Sequence, residues 1–409
     1  MLQTVIIITV FIIIILIILF LLLAVLRRMK SARLYQKLDI ARAHYRKIIE
    51  EAFLKDNTVE IINELLSKPG TLKFRAIEEV LFELKERFPE KTKNFFIRLG
   101  YVEFYEKTLL KRSRLKQASA IDKLGRMGIE SSVLKIAPFL KKKDREIISV
   151  TVRALANIGT DLALITLLED LLELYENWLI TRKAIETALF KFGDKGSDLL
   201  ITYGRNLKNP KILAIVLDSL SHSNNSKALG IAMENINHPD PEVRAKALKV
   251  VERFHNHLSD DDIYKICRLS KDSVWFVRLY VAKILGHLDN KIVVDHLERL
   301  LRDENWQVRD EAARGLSRQR DFPDIILKMF NENDRYAIES LCEAIEKAGL
   351  HEELIKNLIN KDSESSEKSR QILKTMHSLG FSTPLIETIK SSRDENIVEE
   401  LKIITGIKA

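Results

Sequence analysis

The sequence predicts an all-α protein, a right-handed α-solenoid of stacked helix pairs preceded by one transmembrane helix. Three observations lead there. Gly (14) and Pro (8) are scarce in 409 residues, while Ile, Leu, Lys and Glu dominate, a balance that suits long helices. The first apolar run, Val5 to Leu26, has Thr9 as its only polar member. After it, a pattern of about 31 residues recurs from Gln117 to Ser369.

The apolar run is 22 residues long, about 33 Å as a helix, close to the hydrocarbon thickness of a bilayer. It has no basic residue before it and no small-x-small cleavage site before Arg27, so it reads as an anchor rather than a cleaved signal. Arg27, Arg28, Lys30, Arg33 and Lys37 follow it, and they are expected at the membrane surface against anionic lipid headgroups. By the positive-inside rule residues 1–4 lie outside, 5–26 span a cell (inner) membrane once, and the C-terminal part is cytoplasmic. Residues 27–54 read as a basic helical stalk, with Leu34, Leu38, Ala41, Tyr45, Ile48 and Ile49 at helical spacing. Residues 55–409 form the repeat array.

The charge is local. Residues 27–47 hold eight basic side chains and one acid, so they carry +7 of the chain's formal +8. The remaining array is nearly neutral, which argues against nucleic acid as the partner. The two cysteines, Cys267 and Cys342, lie far apart and suggest no disulfide framework.

The repeat is clearest in three segments. Asp272-Ser-Val-Trp-Phe-Val-Arg278 is followed by Val281-Ala282, Asp303-Glu-Asn-Trp-Gln-Val-Arg309 by Ala312-Ala313, and Pro239-Asp-Pro-Glu-Val-Arg244 by Ala247-Leu248. With the arginine as marker, equivalent positions are Gln117, Ile148, Arg182, Leu213, Arg244, Arg278, Arg309, Ile338 and Ser369, in steps of 29 to 34 residues. Each unit reads as a short Leu/Ile helix, such as 292–301 or 324–330, a turn with Asp, Asn or Pro, and a second helix beginning near the marker. Small residues at the third and fourth positions after the marker let neighbouring helices approach closely. Neither helix can bury its apolar face alone, so stacked units share a core.

This pattern resembles the HEAT family, in the short-repeat form also seen in bilin lyases and in many bacterial scaffold proteins. The resemblance covers about residues 110–380; residues 55–110 read as a divergent first pair and 383–409 as a cap. The family's architecture implies an Asp six residues before the Arg and a ladder between successive repeats. Asp272/Arg278 and Asp303/Arg309 have that spacing, whereas Arg244 has His238 in the Asp position. The ladder is therefore expected from about 244 to 309. HEAT arrays serve many roles, so the resemblance implies binding without naming a partner.

Two groups of residues are candidates for partner binding. Trp178, Trp275 and Trp306 are the only tryptophans, and they fall just before the marker. They read either as an aromatic row for a partner or as staples packing each helix start on its own repeat; the staple is the expectation. Lys111, Arg112, Arg114 and Lys116, with Lys141, Lys142 and Lys143 one repeat later, read as a basic stripe or as solvated turns.

No HExxH, CxxC, EF-hand or P-loop pattern occurs, and Asp260 to Asp262 read as a helix cap before Ile263. No cofactor or catalytic constellation is expected. The leading function is a membrane-tethered scaffold for a cytoplasmic protein or for the cytoplasmic part of a membrane complex. The alternatives are a nucleic-acid-binding solenoid or a regulatory subunit of a membrane enzyme such as a glycosyltransferase.

Overall fold

The computed structural model describes the backbone of residues 2–55, 58–332, 334–360 and 363–407, and side chains from residue 15 onward apart from 31, 58, 59 and 363. Every regular element among these residues is a helix. Two compact units, Met1–Lys191 and Phe192–Ala409, divide the chain.

The first unit opens with an unbroken helix, α1, Leu2–Lys55, of 54 residues, about 81 Å long. The expected anchor and stalk are thus one continuous rod. Residues 5–14 of the expected span have side chains outside the described residues. Among the described residues no helix is long and apolar enough to cross a membrane. From Ile15 to Leu26 the large apolar side chains of α1 are 49% to 71% exposed, with no face covered by protein.

The other end of α1 belongs to the array. Leu38, Ile49, Ala52 and Phe53 are buried, and α1 packs on the helix Leu72–Leu84. Arg42 reaches Glu79 at 3.5 Å and also bonds Glu83. Arg46 lies 3.6 Å from Glu83, and Arg87 pairs with Glu50. The stalk drawn over 27–54 therefore divides near Leu34 (half exposed), and its last turns supply core to the first repeat rather than standing apart from it. Burying Phe53 alone removes enough apolar surface that Phe53→Ala would cost about 3–5 kcal/mol.

Second helices start where a side-chain oxygen satisfies the free N–H groups of the first turn. Thr71, Asp144, Asn209, Asp240, Asn305 and Asp334 each accept such a bond, a cap worth about 1 kcal/mol apiece. Pro210 and Pro241 occupy the first helical position, where no N–H is needed. In consequence the marker is the fourth residue of its helix in Arg114–Met127, Arg145–Ile158, Pro210–Leu220, Pro241–Arg253, Trp275–Leu285, Trp306–Ser317 and Arg335–Lys347. It slips at Arg182, which opens Arg182–Phe192, and at Ser369. The first slip follows a longer first helix, Asp161–Glu176, of 16 residues; there the buried fourth residue is Ile185.

Small residues set the helix spacing. A Cβ on Gly125 would lie 2.4 Å from the Cα of Ala154, and one on Gly286 would lie 2.9 Å from the Cα of Gly315. Ala120, Ala247, Ala282, Ala312 and Ala313 have no exposed surface. Within each unit the second helices consequently pack one on the next, as Arg114–Met127 on Arg145–Ile158 and Trp275–Leu285 on Trp306–Ser317. The region expected as a first pair holds four helices, Thr58–Leu65, Leu72–Leu84, Pro89–Arg98 and Tyr101–Leu109, and the expected cap is itself a pair, Thr383–Ser391 and Glu395–Thr405.

Candidate interaction surfaces

In the second unit, arginines link successive repeats. Arg244 donates through Nε and Nη2 to the two carboxylate oxygens of Asp272, both at 2.8 Å. Arg278 does the same to Asp303 at 2.5 and 2.8 Å. The side chains of Arg278 and Asp303 are only 9% and 7% exposed. Each arginine also donates through Nη1 to the carbonyl six residues before it: His238 at 2.9 Å for Arg244 and Asp272 at 2.7 Å for Arg278. The Asp oxygens in turn accept the N–H of Val274 and of Asn305.

The ladder thus runs from one repeat's arginine to the next repeat's aspartate. The pair within one repeat meets only through the backbone. That explains why His238 does not disturb Arg244, and the two links join the repeats marked by Arg244, Arg278 and Arg309, the extent expected. Arg309 holds the Asp303 carbonyl at 2.8 Å, but no acid meets it among the described residues. Glu332, the acid at the equivalent place, is taken by Arg302, and Arg309 stands 5.3 Å over the ring of Tyr336 instead.

Beside the ladder, Asp218 accepts bonds from Lys246 and Lys249, each at 2.8 Å. Burial would raise this carboxyl, yet the two lysines outweigh it and hold it below its ordinary value. Burial raises Glu252 and Tyr280 nearby. His255 stacks on His287 with ring centres 4.5 Å apart. Burial, and then the neighbouring charge of Lys249 or His255, lowers His222 and His287 respectively. The histidine pair joins two repeats, so its only sequence trace is a spacing of one repeat length.

In the first unit the comparable turns face solvent. Lys111, Arg112 and Lys116 are exposed, as are Lys141, Lys142 and Lys143. Of the basic residues singled out in these turns, Arg114 is held between repeats, 2.6 Å from both Asp144 and Glu146. Leu110 and Leu115 are 86% and 83% exposed beside them. A hollow of about 500 Å³ lies along Lys141 to Lys143 and also meets Asp170 and Glu173. A second, of about 320 Å³, separates Arg145–Ile158 from Arg182–Phe192, with Arg153, Lys183 and Lys191 at its rim.

The staple expected of the tryptophans does not describe Trp178 or Trp306, which stand exposed. Trp275 and Trp306 are the first residues of their helices. Trp275 is 37% exposed and Trp306 65%. Trp178 does not open a helix at all. It closes Asp161–Glu176, with its own N–H on the Tyr175 carbonyl and the Leu179 N–H on Leu174. It takes φ 57°, the only positive φ of a non-glycine residue among those described, and is 80% exposed.

Arg27, Arg28, Lys30, Arg33 and Lys37 are exposed along α1 and make no ion pair among the described residues. Burial pushes the thiols of Cys267 and Cys342 up to about 11 and 12, which leaves them protonated and unreactive at neutral pH. No cluster of His, Cys, Asp and Glu among the described residues is arranged for a metal. The cap before Ile263 is Ser259, in a capping box with Asp262, one residue earlier than the aspartate run expected to provide it.

The fold and these contacts define a class: stacked helix pairs joined repeat to repeat by polar side chains. Residues 265–346, which contain the Arg278–Asp303 link, match the family of HEAT repeats. No curated protein matches the chain. Among solved structures the chain is similar to an engineered protein, at 17% identity and a TM-score of 0.32, over 86% of this chain and 99% of that one.

Proposed function

We propose that the chain is a membrane-tethered scaffold of HEAT-type repeats whose surfaces hold a protein partner, with no chemistry of its own. The observation that carries this reading is the continuity of α1. Its exposed apolar stretch runs without a break into residues buried in the first repeat. A helix apolar on every face is stable in lipid and unfavourable in water. The described part, Ile15 to Leu26, is exposed on all sides, and residues 5–14 extend the apolar sequence. In this reading residues 5–26 cross a bacterial inner membrane once and the array lies in the cytoplasm, as the step to Arg27, Arg28, Lys30 and Arg33 indicates.

The partner is a cytoplasmic protein or the cytoplasmic part of a membrane complex, met at raised local concentration because both sit at one membrane. Rigid coupling of tether and array adds orientation, since α1 has no hinge among the described residues. The near-neutral charge of the array disfavours nucleic acid.

The test replaces residues 1–30 by an unrelated single-pass anchor of the same orientation. Crosslinking in native membranes should recover the same partner peptides as the natural protein, and a Lys390→Cys variant should stay unlabelled by an impermeant thiol reagent in intact cells. Deletion of residues 1–30 should lose the crosslinks. The cut must fall before Leu34, because removal up to residue 54 would strip Leu38, Ile49 and Phe53 from the core. Loss of the crosslinks in a correctly placed swap would move recognition into α1 and end the simple tether model. Labelling of Lys390→Cys would invert the topology.

A further inference from the structure

We infer that the turn edge of the first unit is a second membrane contact, a basic surface with protruding Leu and Trp side chains that lies on an anionic lipid headgroup layer. The inference rests on the tether reading above and adds an orientation to it.

Four second helices of the first unit run parallel. Arg114, at the start of its helix, pairs with Asp144 at the start of the next. Arg153 meets Asp122 mid-helix at 3.2 Å. Lys191 bonds Asn157 where those two helices end, and Lys85 bonds the Arg126 carbonyl in the same sense. Their N-termini, and the turns before them, therefore share one edge. The helix α1 is parallel to them too. Leu34 and Leu38 line a groove with Gly70, Thr71 and Leu72 at the start of Leu72–Leu84. Arg42 meets Glu79 and Glu83 further on, and the Phe53 carbonyl accepts from Lys91 beyond the end. Toward its N-terminus, α1 thus projects past the turn edge. From Leu34 to Leu26 is eight residues, about 12 Å of helix. One headgroup layer is about 5–8 Å thick, and an ordinary helix tilt of about 20° toward the array narrows the remaining gap.

What stands on that edge suits such a surface. Lys111, Arg112, Lys116 and Lys141 to Lys143 are exposed there with Leu110 and Leu115. Trp178 occupies the corresponding turn of the last repeat in the unit. Cationic side chains interleaved with exposed Leu and Trp are the composition of an interfacial membrane contact. Trp178 takes the left-handed conformation that glycine favours, and there it projects the indole into solvent. An acidic protein surface would accept the lysines but would not account for the adjoining leucines and their place beside the tether.

The full chain carrying Trp275→Phe and Trp306→Phe leaves Trp178 as the sole indole. In vesicles with brominated acyl chains, its fluorescence should be quenched about twofold or more strongly with about 30 mol% anionic lipid than with zwitterionic lipid alone. Charge reversal of Lys141, Lys142 and Lys143 to Glu should remove the difference. So should salt raised to about 1 M, which shortens the screening length to about 3 Å without altering the protein. A parallel protein with Phe20→Trp as its sole indole reports insertion of α1. Quenching at position 20 without quenching of Trp178 would overturn the edge contact and spare the tether. Quenching of Trp178 alone would spare the edge and overturn the tether, and silence at both would overturn both. Lysine variants that lose a crosslinked protein while lipid quenching is unchanged would assign the patch to that protein instead.

Discussion

The two units use one repeat position in opposite ways. Six residues before the marker, the second unit has Asp272 and Asp303, turned inward and paired with the preceding repeat. The first unit has Lys111 and Lys142 there, both exposed. Yet the backbone at Lys111 and at Asp272 is held alike. Gln117 donates its side-chain amide to the Lys111 carbonyl at 2.8 Å, as Arg278 does to the Asp272 carbonyl at 2.7 Å. Where the marker can donate, it holds the carbonyl six residues earlier whatever side chain stands there. That side chain is left to lock repeats together in one unit and to dress a surface in the other.

The largest expected effect tests that division directly. Arg278→Ala leaves the Asp303 carboxylate almost buried without its fork, and should destabilise the second unit by about 3–5 kcal/mol in denaturant unfolding followed by hydrogen exchange. Arg114→Ala breaks a link that is 55% exposed on the arginine side, and should cost less than about 1 kcal/mol. Equal losses at the two sites would erase the distinction between lock and surface.

A smaller effect of opposite sign is expected at Trp178. Gly128 and Gly159 end their helices at φ 74° and 67°, where glycine carries no Cβ penalty. Trp178 does the same task at φ 57°. Trp178→Gly should therefore stabilise the first unit by about 1 kcal/mol, while abolishing any contact the indole makes. A loss of stability would show that the ring packs on its repeat after all, as the staple expectation held.

Much of this was readable from the chain because the signals are local. A cap, an apolar fourth residue and a small residue one turn later all lie within one helix, so the turn with Asp, Asn or Pro marked the second helices, and Asp144, Asn209 and Asp240 are where it does so. The ladder's members were readable as well, but its direction was not. Arg278 lies six residues from Asp272 and 25 from Asp303, and the expected link between successive repeats does not say by itself which neighbouring repeat supplies the carboxylate. The stalk's boundary was hidden for a similar reason. Arg42 and Arg46 added to a basic run that pointed at lipid, and only the fold brings Glu79 and Glu83 across from them. The tryptophans misled because a position before a helix suits burial and exposure equally; the turn around Trp178 decided it.

The smallest effect concerns pH, and it separates the units by histidine content. Of nine histidines only His44 lies in the first unit. In the second, His222, His287 and His296 are all held below the ordinary value of 6.5, first by burial and then by nearby positive charge. A histidine lowered on folding stabilises the fold fully above its unfolded value, and that contribution is lost as pH falls through the lower folded one. The Asp218 carboxyl, also lowered, loses its contribution further down the scale, whereas Glu252, raised by burial, opposes it there. The histidine contribution is lost as pH is lowered from about 7.5. Hydrogen exchange, corrected for its intrinsic pH dependence, should quicken in Pro210–Leu220, Pro241–Arg253 and Trp275–Leu285 and stay unchanged in Arg114–Met127 and Arg145–Ile158. His287→Gln should shrink the change by removing both the titrating ring and its stack on His255. An equal response in both units would mean that none of the three histidines is coupled to the packing of its repeat.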